Sequence, residues 1–342
     1  IVGAGFAGLK IAQKLAHTDY QIVLFDKNNY HQFQPLLYQV ATAALSPSAV
    51  SFPLRRIFHK IDNVVFRMAV VREIDKEKKT IYTNLGTIQY DYLVLSQGAN
   101  TNYFGNQNIQ KFCAPMKSTS EALYIRNKFI SNYERAVNIA DEDERKPIMN
   151  VVIVGGGATG VELAGSIAEL RNKVLPKDYP QLSFKNMRVI LVESGGSLLS
   201  GLTPKSREKA LQYLQELGVE VMLNTRVEDY DGFIVKLLDK EPIKTLTLLW
   251  AAGIKANSLI GVEDDQKAPN GRLLVDEFNK MVNEQNIYVV GDQCVQKEEK
   301  FPNGHPQVAQ VAIQQAANLA KNFKNELKGK PWIPFKYNDL GS

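Results

Sequence analysis

The chain has 342 residues, too many for one ordinary hydrophobic core and enough for two domains. Its composition, 44% hydrophobic and 23% charged, is that of a globular protein, and no run approaches the roughly 20 apolar residues that cross a bilayer. A formal charge of +5, with Lys and Arg interleaved among Asp and Glu, argues against nucleic-acid binding and allows at most a weak pull toward an acidic membrane surface.

The first element is a glycine turn, "IVGAGFAGLKIAQKL", in which Gly3, Gly5 and Gly8 form G-x-G-x-x-G. The first Gly permits a tight strand-to-helix turn, the second lets a pyrophosphate approach the backbone, and the third lets the helix lie close on the sheet. Leu9, Ala12 and Leu15 then recur at helical spacing, and the strand "QIVLFDK" ends in Asp26. A carboxylate there suits the ribose hydroxyls of an adenine nucleotide. Only Ile1 and Val2 precede Gly3, where a strand of about five or six residues is usual, and the far end stops at "KYNDLGS". The chain is therefore expected to be part of something longer.

Residues 64–99 read as several short strands with polar turns at "DKEKK" and "NLG", ending in the buried strand of "YDYLVLSQGA". A helix is expected over 118–140, followed by an acidic linker, "DEDERKP". Then the opening device recurs in "MNVVIVGGGATGVELAGSIAELRNKV", with Gly155, Gly157 and Gly160, a helix through Val161, Ala164 and Ala168, and a strand "MRVILVES" ending in Glu193. The span from Gly160 to Glu193 exceeds the usual spacing of about 20 residues, and "LPKDYPQLSFKN" reads as an insertion that lengthens it. Glu193 should accept from both ribose hydroxyls and repel a 2′-phosphate. No Lys or Arg lies between Ser194 and Pro204 to welcome one, so NADH is expected over NADPH.

Beyond this unit, "GVEVMLNTRVEDYDGFIVKLLD" and "TLTLLWAAGI" read as a second small antiparallel sheet returning to a parallel one. "QNIYVVGDQC" is a buried strand, and a long helix starts near Pro306. The fold expected is α/β, with two Rossmann-like dinucleotide-binding domains, each carrying a small antiparallel β-meander. Residues 1–113 and 265–342 form the FAD domain, and 114–264 the NADH domain inserted into it. Two nucleotide units in one chain imply a resident FAD and a visiting nicotinamide. Cys113 and Cys294 stand in no CxxC spacing, which argues for a reducing compartment and against a redox disulfide. His17, His31, His59 and His305 form no metal-ligand spacing, and no metal is expected.

In order and motif the chain resembles the two-dinucleotide-domain flavoprotein reductases through GAGFAG, GGGATG and "YVVGD". Within them it resembles the type II NADH dehydrogenases, the non-proton-pumping NADH:quinone oxidoreductases of respiratory membranes. That narrower likeness rests on "YHQFQPLLYQVATAALSPSAV", "GGGATGVELAG" and above all "AQVAIQQ", which matches the A-Q-x-A-x-Q pattern associated with quinone binding in that family. The resemblance implies that Asp292 and the start of the helix at Ala309 serve FAD. It implies that Gln310 and Gln314, with Ala309, Ala312 and Ala316 leaving room, meet the quinone, and that Glu162 positions NADH and feeds protons to quinone. The helix dipole would favour negative charge on the reduced flavin. The "HQFQPLLYQVA" loop, with Pro35 and Leu36, would line the flavin pocket, His31 is expected to be structural, and Cys294 is assigned no chemistry. The family further implies a peripheral homodimer on the cytoplasmic face of the cell membrane, attached through a C-terminal segment missing from this chain. The alternatives are an NADH-dependent reductase of a ferredoxin- or rubredoxin-type carrier and a flavin-binding redox sensor without turnover. A disulfide reductase and a sulfide:quinone oxidoreductase both need reactive cysteines that this sequence does not offer.

Overall fold

The computed structural model describes residues 1–340; Gly341 and Ser342, which close the 265–342 segment, lie outside the described residues. The chain divides into two compact units. The first comprises Ile1–Gln32, Ser51–Asn100 and the chain from Lys255 onward, and the second Phe33–Val50 and Thr101–Ile254.

The first unit is built on a parallel sheet. Strand Ile22–Asp26 pairs with Val64–Met68, and Val2 bridges both Phe25 and Leu95. Strand Leu93–Leu95 pairs in turn with Ile287–Val289. The second unit repeats this order. Strand Glu220–Met222 lies beside Val189–Val192, then come Val151–Val154, Thr247–Trp250 and Ala114–Pro115, all parallel. The strand that leads into each glycine turn is therefore interior to its sheet. Val151, Val152, Ile153 and Val154 are all buried, as a parallel strand covered on both faces requires.

Each unit also carries the expected three-stranded antiparallel meander. These are Val71–Asp75, Thr80–Thr83 and Gly86–Gln89 in the first, and Val227–Tyr230, Ile234–Leu237 and Lys240–Lys244 in the second. In both, polar turns separate the short strands; Ile234–Leu237 buries alternate residues, whereas Thr80–Thr83 buries its first two.

The structure departs from the sequence expectations in several places: residues 33–50 and 101–113, expected in the first domain, belong to the second unit, and residues 255–264, expected in the second, belong to the first. The segment around "DEDERKP" is not a linker but part of a helix, Glu142–Met149. Asp141 caps it by accepting from the Asp143 N–H, and three acidic residues occupy its first turn, where the helix dipole favours them. Of "LPKDYPQLSFKN", Leu175–Asp178 continue the second-turn helix through a π-type turn, Leu170–Val174, and the remainder, with a 3-10 turn at Phe184–Asn186, forms the long connection to strand Val189–Val192. Lastly, "HQFQPLLYQVA" contains a helix, Leu37–Ala41, rather than a bare loop. Its Leu37, Val40 and Ala41 are buried in the core of the second unit with Ala122, Ile125 and Leu163.

Helix Thr119–Val137 forms as expected, begun by a capping box in which the Ser118 side chain accepts from Glu121 and the Glu121 carboxylate accepts from the Ser118 N–H. Among the described residues, no helix is long and apolar enough to cross a membrane.

Candidate functional site

The two glycine turns share one backbone plan. Gly3 and Gly155 adopt φ of +99° and +111°, a region that side chains rarely enter. A Cβ on Gly3 would lie 2.3 Å from the Ser96 carbonyl oxygen, and one on Gly155 would lie 2.5 Å from that of Ala251. A Cβ on Gly8 would meet the Gly3 oxygen at 1.8 Å, and one on Gly160 the Gly155 oxygen at 1.9 Å. The first and third glycines of each motif are therefore demanded by the fold itself.

The middle glycines differ. Gly5 and Gly157 are exposed, sit at extended φ of −68° and −74°, and an added Cβ would meet no protein atom within 4 Å. Nothing in the folded chain requires glycine there. The space in front of them is open, and it faces the N-terminus of a helix in each case, Phe6–Lys14 and Ala158–Glu169, with no side-chain cap on either.

Each turn is braced by its acid. Asp26 Oδ2 accepts from the Ala4 N–H at 2.7 Å and Oδ1 from the Asn28 N–H at 2.8 Å. Glu193 Oε2 accepts from the Gly156 N–H at 2.6 Å and Oε1 from the Gly195 N–H at 2.5 Å, with Ser194 Oγ donating at 3.2 Å. Burial pushes the Asp26 carboxyl above the usual carboxylate range, against the downward pull of the Ala4 and Asn28 N–H groups.

The other first-unit residues gather around the first turn. Asp292 follows Gly291 in a short 3-10 turn after strand Ile287–Val289, and its carbonyl accepts from Gln307 Nε2 at 2.8 Å. Gly291, at φ +75°, lies where an added Cβ would be 3.4 Å from the Ala312 Cβ and 3.7 Å from that of Ala7. The helix bearing Ala309, Gln310 and Gln314 thus packs on the helix of the first turn, and Asp292 sits where these elements meet. That helix runs Ala309–Glu326, three residues later than the start near Pro306 that the sequence suggests. Val308 is extended and its N–H is held by the Pro306 carbonyl at 3.0 Å, so helical backbone begins only after it.

Ala312 and Ala316 are buried against the first-turn helix in the core and do not flank the amides as expected. Gln310 and Gln314 occupy another face, where the C-terminal stretch crosses them. Gln314 donates to the Asn338 carbonyl at 2.8 Å and accepts from the Asn338 N–H at 3.1 Å. Gln310 Oε1 accepts from Tyr337 Oη at 3.5 Å and the Leu340 N–H at 3.4 Å. Glu162, in the first turns of Ala158–Glu169, is solvent-exposed, and desolvation holds its carboxyl above the ordinary value.

His31 donates its Nδ1–H to the Ala4 carbonyl, 2.9 Å away, and so supports the turn. Both cysteines are buried and unpaired; burial pushes the Cys113 thiol up to about 12 and that of Cys294 up to about 11. Among the described residues no cluster of His, Cys, Asp and Glu could hold a metal ion.

Sequence reasoning missed two residues. Ser96 donates toward the Val2 and Gly3 carbonyls, at 3.0 and 2.8 Å, and locks the first turn. Its signal was the polar residue ending "LVLS". Gln315, fully buried, accepts from the Gly291 N–H at 2.8 Å and touches Cys294 Sγ. Its place in "AQVAIQQ" was visible, but only packing separates it from Gln314.

Comparison with known proteins now bears on this arrangement. The profile of the pyridine nucleotide-disulphide oxidoreductases matches residues 1–316. Two type II NADH:quinone oxidoreductases of Mycobacterium tuberculosis are 36% and 34% identical to the whole chain, which spans 76% and 75% of their lengths. The chain belongs to the type II NADH:quinone oxidoreductases of the pyridine nucleotide-disulphide oxidoreductase family. The fold agrees with that of a solved family member, the NDH2 of Plasmodium falciparum in complex with NADH. It superimposes with a TM-score of 0.88 at 22% identity, over 98% of this chain and 86% of that one.

Proposed function

We propose that the first glycine turn holds FAD, that the second receives NADH, and that the enzyme reduces a membrane quinone of the respiratory chain. One observation carries the reading. In a chain of this family, two acid-braced glycine turns each leave open space over the middle glycine, which none of the described residues fills. A cradle that any Cβ would enter fits the pyrophosphate of a dinucleotide.

FAD would be held by Gly3, Gly5, Gly8, Asp26, Asp292 and the helix start at Ala309; when bound, it supplies the hydride acceptor for NADH and the two-electron donor for quinone. The protein's own work is positioning. The helix Phe6–Lys14 offers uncapped N–H groups and the positive end of its dipole to one pyrophosphate, and Ala158–Glu169 does the same for the other. Glu193 presents its carboxylate to the adenosine ribose, where Ser194 Oγ is the weakly held partner that a hydroxyl replaces. A 2′-phosphate there meets a negative charge, so NADH is preferred to NADPH. Helix Ala309–Glu326, with no side-chain cap at Val308, directs its N–H groups at negative charge near its start.

Gln310 and Gln314 supply amide donors for the quinone carbonyls and acceptors for the quinol hydroxyls, and Glu162 positions the nicotinamide and exchanges protons. The enzyme works as a peripheral homodimer on the cytoplasmic face of the membrane, because the long apolar tail of quinone stays in lipid.

The test is a stopped-flow experiment in two phases. NADH should bleach the flavin absorbance of the purified protein, and a soluble quinone should restore it. Bleaching without recovery would remove quinone from the reading, and protein that takes up no flavin would remove the reading altogether.

A further inference from the structure

Among the differences between the two turns, one pair of positions is physically coupled. In the first, the residue after the leading glycine is Ala4 and the bracing acid is Asp26; in the second they are Gly156 and Glu193. Both acids accept from the N–H of that residue, at 2.7 and 2.6 Å, and from the N–H two positions beyond the acid. The longer side chain of Glu193 must therefore reach the same place as the shorter one of Asp26, and its extra methylene has to go somewhere.

It goes over Gly156. A Cβ built on Gly156 would lie 2.9 Å from Glu193 Cγ and 3.0 Å from Glu193 Oε2, and 2.8 Å from Leu198 Cδ2. The Leu198 methyl is the far end of a rotatable side chain and can give, whereas the Glu193 Cγ is fixed by the two backbone N–H groups that hold its carboxylate, so the glutamate is the obstacle that a shorter acid removes. Gly156 does not adopt a positive φ, so its backbone would accept a side chain and the obstacle is steric alone. Alanine with aspartate and glycine with glutamate hold the same number of carbon atoms; the methyl of one pair is exchanged for the methylene of the other. Volume-conserving exchanges of this kind are those a packed site tolerates.

We propose that Gly156 is a specificity-determining residue for the pyridine nucleotide. It forms a matched pair with Glu193, and only glycine at 156 lets a glutamate both brace the turn and present its carboxylate to the ribose of NADH. The proposal rests on the reading of this turn as the NADH site, and the experiment separates the two.

Four variants are compared with the wild type as holoenzymes, by flavin reduction with NADH and with NADPH: G156A, E193D, G156A/E193D and E193A. G156A and E193D should each raise KM for NADH about tenfold or more, the scale of one charge-assisted hydrogen bond, and narrow the preference over NADPH. The double variant should return to within about threefold of the wild type, a coupling that independent effects cannot produce. Flavin content per chain reports folding in every case.

A wild-type KM for G156A, or a double variant carrying the product of both single penalties, would overturn the pairing. An E193A enzyme with unchanged KM and unchanged NADPH discrimination would overturn the NADH reading itself, and the pairing with it. Should G156A fail to fold, the mirror exchange decides. D26E should lose FAD because Ala4 blocks the longer acid, and A4G/D26E should regain it; failure to regain it counts against the pairing.

Discussion

The middle and third glycines of the second turn allow a sharp separation of binding from folding. Gly157→Ala adds a methyl group that meets no protein atom within 4 Å, on a backbone already at φ −74°. Two small effects on stability oppose each other. Alanine stiffens the unfolded chain, a gain of about 0.4–1 kcal/mol. It is also a poorer N-cap than glycine, a loss of about 0.5–1 kcal/mol. The melting temperature of the ligand-free second turn should therefore barely move. NADH is another matter if this is its site, because the methyl stands in the open space before the helix N–H groups, where a pyrophosphate would lie. Losing one or two charge-assisted hydrogen bonds at about 1.5–3 kcal/mol each corresponds to about tenfold in affinity at the least and more than a thousandfold at the most. Gly160→Ala is the control of opposite kind. Its Cβ would sit 1.9 Å from the Gly155 carbonyl oxygen, so the helix must move off the sheet and the protein should be strongly destabilised. Thermal unfolding followed by circular dichroism reads stability, and the NADH dependence of flavin bleaching reads binding. A G157A enzyme that folds normally and is reduced by NADH with the wild-type KM would refute the argument that open space over the middle glycine is nucleotide space.

Other expectations follow from the same geometry. Cys113 and Cys294 are buried with thiols raised to about 12 and 11, so a thiol reagent at pH 8 should label neither in the native protein and both after unfolding in guanidinium; rapid native labelling would revive a thiol-based mechanism. Burial raises Tyr20 and Tyr90 to about 12 and lifts Tyr133, Tyr230 and Tyr288 further. A raised folded value means that the associated stability is complete below the unfolded tyrosine value of about 10 and is lost as pH rises through the folded values. Phenolate absorbance from these residues should thus appear together with loss of helical circular dichroism, whereas a single reversible titration near pH 10 would contradict it. Gln314→Ala and Glu162→Ala should slow flavin reoxidation by quinone more than they weaken FAD retention. Colourless protein from either variant would count against their assignment.

Much of the architecture was legible because it is local. Spacing within GAGFAG and GGGATG dictates a strand, a turn and a helix over about a dozen residues, and the polar turns "DKEKK" and "NLG" punctuate strands too short to be anything else. The acidic stretch after residue 138 misled because charge and proline suggest a linker, while an Asp141 cap and a favourable first turn stabilise a helix in which Pro147 is tolerated. The helix carrying Gln310 looked as though it began at a proline, yet the hydrogen bond from Val308 to Pro306 delays it.

Sequence alone determined that there are two glycine turns, which glycines make them, and which acids close them, since each is set by neighbours a short way along the chain. Tertiary packing decided the rest. It buried Gln315 and left Gln310 and Gln314 to the C-terminal stretch, turned Ala312 and Ala316 toward the first helix, and drew residues 33–50 into the core of the second unit. A helical pattern states which residues share a face, but the face becomes core or surface only when a distant segment arrives to cover it. The fit of Glu193 over Gly156 is of the same kind. Residues 37 apart in the chain are brought within hydrogen-bonding distance by the parallel sheet, and a missing methyl group matters only once they meet.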